Sequence, residues 1–102
     1  MDSIKQNIVE SKDYPYYLLI PSTVFYNKKL SSIQKLLLIE IFYQTDQGKY
    51  ICELTNKRFA DIFGVSEVTV SKSLGILGNL GFIVITYGFE KRKIEIERKI
   101  YE

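Results

Sequence analysis

Apolar positions along this chain change period several times, and each change marks an expected element. Residues 1–13 are polar apart from Met1, Ile4, Ile8 and Val9. They read as a flexible arm, or as a segment that orders against a partner. Pro15 and Pro21 bracket Tyr16-Tyr17-Leu18-Leu19-Ile20, a β-rich run that predicts a short strand covered on both faces or paired across a dimer. Ser22–Tyr26 is expected to form one helical turn that inserts Val24 and Phe25. Ser31 with Gln34 three residues later makes a capping box, and the helix it opens is expected to run to about Tyr43. Ile33, Leu37 and Ile41 form one stripe of that helix. Leu36, Leu38, Ile39 and Phe42 cover much of the rest, which implies burial on more than one side: a self-association surface, or a central helix wrapped by its own chain.

The pattern tightens further on. Residues 44–49 form a turn, and Tyr50-Ile51-Cys52 can supply a short strand. Thr55 is a good N-cap, and Phe59, Ala60, Ile62 and Phe63 follow as the apolar stripe of a short helix. Gly64 sits where a helix ends in a left-handed residue, Val65 plugs the turn, and Ser66 can cap a second helix. Val70, Leu74 and Leu77 recur as the buried face of that helix, and Gly81 stops it. Phe82–Thr86 is strand-like, Tyr87-Gly88-Phe89-Glu90 carries a turn glycine, and Ile94-Glu95-Ile96-Glu97 alternates as a return strand. The last five residues either extend that strand or begin a helix.

Composition narrows the chemistry. At 102 residues, 46% hydrophobic and 25% charged, the chain suits one globular domain. A net charge of +2 means that any nucleic-acid surface must come from where the charges sit. There is no apolar run long enough to span a membrane and no apolar signal core at the N-terminus, so a cytoplasmic location is expected. The absence of histidine removes Ser-His-Asp and Cys-His catalysis, and Cys52 stands alone, best read as a small core hydrophobe. The twelve acids show no metal-loop pattern. A non-enzymatic protein without metal or cofactor is expected.

Two short helices joined by a glycine turn describe a helix-turn-helix. The string FADIFGVSEVTVSKSLGILGNLGFI resembles the winged helix-turn-helix pattern, with Ala60, Gly64, Val65, Ser66, Thr69, Val70, Leu74, Leu77, Gly81 and Ile83 on its positions. Phe59 stands where that pattern usually has leucine. With the preceding helix and the following hairpin, the resemblance covers residues 16 to 97. It implies an α+β fold of about three helices with a C-terminal two-stranded β-wing, spanning 14–102, that binds double-stranded DNA as a homodimer. The domain is similar to DNA-binding modules of plasmid and phage replication initiators, and to accessory proteins of conjugative plasmids, of the TcpK type, that bind the origin of transfer. The short length is read as favouring a stand-alone accessory factor, with a relaxase or a replication protein as a further partner.

On the second helix, Glu67, Val68, Ser71 and Lys72 face the groove by the family pattern, with Thr69 and Gly75 also exposed candidates. A glutamate can accept from a cytosine amino group and a lysine can donate to guanine. From Ser66 to Leu80, however, Lys72 is the one cation. Ser71, Gly75 and Gly78 form a strip without bulk, open to another backbone: DNA, the wing or a neighbouring subunit. The other cations are Lys57 and Arg58, in the first turn of the preceding helix, and Lys91, Arg92 and Lys93 on the hairpin. On an unknown fold such a triplet would read as a solvated tip. Attached to a helix-turn-helix it reads as DNA-binding, with Arg92 the best single candidate because its planar fork donates bidentately. The wing is therefore expected to contribute more than the recognition helix. The alternatives are a transcriptional repressor at an operator and a winged-helix module that binds proteins.

Overall fold

The structure of the chain, a computed structural model, describes Leu18, residues 20–46 and residues 51–97. Among these residues the fold is α+β: α1 (Ser22–Phe25), α2 (Ser32–Asp46), α3 (Asn56–Phe63), α4 (Glu67–Asn79), and an antiparallel pair β1 (Ile83–Tyr87) and β2 (Arg92–Ile96). This is a winged helix with a β-wing: three longer helices, and α1 as the single helical turn expected over Ser22–Tyr26.

Local chemistry sets most boundaries. The Ser31 amide donates to Gln34 Oε1 at 2.9 Å and the Gln34 amide donates to Ser31 Oγ at 3.3 Å, a reciprocal capping box that opens α2. The helix continues to Asp46, three residues past the expected end. Thr55 Oγ1 accepts from the Arg58 amide, and Ser66 Oγ accepts from the Thr69 amide, so α3 and α4 each begin on a side-chain cap. Both end on a glycine at positive φ, 65° at Gly64 and 84° at Gly81. After each, the chain closes a hydrogen bond back into the last turn: Val65 donates to the Ala60 carbonyl, and Phe82 to that of Leu77.

The core sits where α2, α3, α4 and the wing converge. Leu37, Leu38 and Ile41 of α2 are fully buried, as are Phe59, Val70, Leu77 and Ile94. Leu38 and Ile39 therefore find cover within the chain, and of the surplus apolar positions on α2 it is Leu36 that stays exposed, at 44%. Helix α1 inserts Val24 but leaves Phe25 51% exposed. Neighbouring helical residues point about 100° apart, and this single turn, packed on one side only, turns Val24 to the core and Phe25 away from it.

Alternation divides the wing into two faces. Ile83, Ile85 and Tyr87 pair with Ile96, Ile94 and Arg92 on the face toward the domain, while Val84 and Thr86 pair with Glu95 and Lys93 on the outer face. Of the strand expected at 50–52, and the turn before it, residues 47–50 lie outside the described residues; Cys52 forms a bridge with Ile94, the two exchanging both backbone hydrogen bonds at 2.8 and 2.9 Å. Residues 1–13, most of the strand expected over 16–20, and the chain after Glu97 lie outside the described residues; Leu18 and Ile20, which are described, are not in a strand. Among the described residues no helix is long and apolar enough to cross a membrane.

Candidate nucleic-acid interface

Among the described residues, seven cations are exposed: Lys28 and Lys29, in the turn between α1 and α2, and five on α3, α4 and the wing. Lys57 and Arg58 lie in the first turn of α3, where free amides also favour an anion. Lys72 is exposed at the middle of α4. Lys91 ends the hairpin turn and Lys93 is the second residue of β2, both exposed. Acids are interleaved with them: Glu67 opens α4, Glu90 lies in the turn, and Glu95 follows Lys93 on the outer face of the wing.

Arg92 behaves differently from its two neighbours. Strand alternation turns it to the inner face, where its guanidinium donates to the Leu54 carbonyl at 2.9 Å. Its Nε has no hydrogen-bond partner and burial lowers its pKa, yet a guanidinium stays charged at any physiological pH. The side chain thus ties the start of β2 to the segment that leads into α3. It lines a cleft of about 490 Å³ with Leu54, Asn56, Tyr87 and Lys91, and the Oδ1 of Asn56 is also without a partner. The expected best DNA contact is thus engaged with its own chain, and Lys91 and Lys93 are the wing cations that face solvent.

Helix α4 carries the other expected contacts. Glu67, Val68, Ser71, Lys72 and Gly75 are exposed. Thr69 is half-buried, and its hydroxyl accepts from Ser66 Oγ at 2.9 Å, so it serves the helix cap. A Cβ added at Gly75 or Gly78 would meet nothing within 4 Å, so among the described residues neither the wing nor another element packs on these two glycines. The exposed face of α4 is also more apolar than expected, with Val68 62% and Ile76 43% exposed and Leu80 50% exposed at its end.

Cys52 is buried, bridged to Ile94, and its thiol pKa is raised chiefly by that burial, as expected for a small core hydrophobe. Sequence reasoning passed over the aromatics at the hairpin end. Tyr87 is 79% exposed, and Phe89 is exposed to 109% of its reference area. The available signal was an aromatic placed beside a turn glycine, where no core lies within reach. No protein-family model matches the chain, and no curated protein is significantly similar to it in sequence.

Proposed function

We propose that this protein binds duplex DNA through α4 and the wing tip, as a non-enzymatic, cytoplasmic accessory factor at a plasmid origin of transfer or replication. The observation that carries the reading is that five exposed cations, Lys57, Arg58, Lys72, Lys91 and Lys93, lie on the helix-turn-helix and wing of a winged-helix scaffold. The family resemblance supports the mobile-element role. Binding as a dimer to paired half-sites fits the same reading. The wing contributes more than α4, because Lys91 and Lys93 project from one hairpin end while α4 offers Lys72 alone.

The experiment is a salt series on a random-sequence duplex. Binding should weaken steeply as salt rises, and a Lys91→Ala/Lys93→Ala double variant should lower the log–log slope by about two units, against about one for Lys72→Ala. A salt-independent interaction would overturn the reading. So would a larger loss from Lys72→Ala than from the wing double variant, as regards the wing's share. A second reading is favoured by the exposed Val68, Ile76 and Leu80: a winged helix whose α4 face packs on another protein. Under it, Val68→Lys would abolish capture of that protein and leave duplex binding unchanged or stronger.

A further inference from the structure

Phe89 is fully exposed at the end of the wing, an expensive place for a large apolar ring unless something receives it. A Cβ at Gly88 would come within 3.1 Å of the Lys91 carbonyl, so the turn from Gly88 to Lys91 packs closely and a larger residue there would push it open by a few tenths of an ångström. Behind the turn, Tyr87 pairs with Arg92, and Arg92 is tied to Leu54. Ile94 then bridges to Cys52. The tip is thus an aromatic ring on a braced stalk. The ring shares a surface cleft with Lys91 and Lys93 and with two exposed acids, Glu53 and Glu90, while Glu95 lies two residues farther from the turn than Lys93.

We propose that Phe89 is an apolar wedge that enters a DNA minor groove and stacks on a base step, partly unstacking it and bending the duplex, while Lys91 and Lys93 hold the flanking phosphates. Apolar side chains at the ends of minor-groove elements act in this way, and flexible pyrimidine–purine steps such as TA yield most readily. The flanking cations make a duplex the matching occupant, because they supply the attraction that brings the ring to the groove. Glu90, beside the ring and exposed, opposes the approach. Its neutralisation therefore strengthens binding. The inference rests on the DNA-binding reading and adds to it a residue and a deformation.

The test uses the full chain and an AT-rich duplex containing TA steps, labelled at both ends so that energy transfer reports the bend while anisotropy reports affinity. Phe89→Ala should bind about tenfold more weakly or worse, with the salt slope unchanged and the bend lost. Phe89→Trp should restore both, and Glu90→Gln should tighten binding. Phe89→Ala removes a side chain that is fully exposed, so its thermal unfolding should match that of the parent chain. If Phe89→Ala binds and bends the duplex as the parent does, the wedge is wrong and DNA binding stands. If Phe89→Ala keeps duplex binding but loses co-sedimentation with phosphatidylserine vesicles, the tip is a membrane contact and the wedge is again wrong. If the parent chain shows no salt-dependent duplex binding, the wedge falls together with the reading beneath it.

Discussion

Arg92 and Cys52 show what a single side chain does once the chain closes around it. The Arg92 hydrogen bond spans 38 positions of sequence to reach Leu54, so nothing near Lys91-Arg92-Lys93 announces it. Arg92→Ala should destabilise the fold by about 1.5–3 kcal/mol in urea unfolding, the usual worth of a hydrogen bond to a charged group. It should leave the salt slope of DNA binding unchanged, whereas Lys91→Ala lowers it by about one unit. A lowered slope with unchanged stability would mean that the guanidinium leaves Leu54 for a phosphate. The burial of Cys52, by contrast, was readable, because an isolated cysteine between a strand-like pair and an N-cap behaves as a small apolar residue. Its folded-state pKa lies above the ordinary thiol value of 9.0. As pH rises past that value the unfolded chain releases the thiol proton and the folded chain keeps it, so the unfolded state binds fewer protons and stability falls. Below that value both states hold the proton and Cys52 adds no pH dependence. Cys52→Ala should lose less stability than the parent chain between pH 8 and pH 10. The cavity it leaves costs the same at both pH values, so the difference isolates the thiol.

At the scale of the element, glycines with opposite backbone demands lie close together in α4 and its end. Gly75 and Gly78 are helical, with open space where a Cβ would go, so Gly75→Ala and Gly78→Ala should each stabilise by about 0.5–1 kcal/mol. Gly81, at φ 84°, should show the reverse sign, with Gly81→Ala costing about 1–2 kcal/mol. Thermal unfolding of the three variants checks the signs, and a stabilised Gly81→Ala would mean that the turn relaxes out of the left-handed region. If Gly75→Ala stabilises the chain yet weakens duplex binding, a DNA backbone approaches that strip. Most of this element chemistry was legible beforehand. The Ser31–Gln34 capping box, the Thr55 and Ser66 caps, and the Gly64 and Gly81 stops act within a few residues, so spacing alone reveals them. That Cys52 pairs with Ile94 through a single bridge was not legible. How far Cys52 pairs along β2 depends on where α2 and α3 hold it, and no local pattern records that. Likewise, Thr69 looked like a groove residue by its position on α4, and only the geometry of the cap shows its hydroxyl bonded to Ser66.

For the whole molecule, the remaining apolar surface sets the expected assembly state. Burial of Leu38 and Ile39 within the chain removes part of the case for self-association along α2. Apart from the apolar residues of α4 and the wing, Ile20, Phe25, Tyr26 and Leu36 are 43%, 51%, 75% and 44% exposed. Phe25 and Tyr26 are fixed in place. The Phe25 and Tyr26 rings meet edge to face with centroids 4.9 Å apart, and the Lys35 ammonium donates to the Phe25 carbonyl at 2.8 Å, tying α1 to α2. A rigid aromatic surface of this kind loses little side-chain entropy when covered, which favours pairing with a second copy. Paired half-sites would require such a pairing to be twofold. Light scattering at micromolar concentration should give roughly twice the chain mass of 11.9 kDa. Phe25→Asp combined with Leu36→Lys should return the protein to a monomer and, because both side chains are exposed, leave its unfolding midpoint at low concentration nearly unchanged. On DNA with two half-sites, that monomer should bind each site independently and lose cooperativity, while binding to a single half-site stays as before. A parent chain that scatters as a monomer both free and on DNA would refute the dimer, and the exposed aromatic surface would then need another occupant.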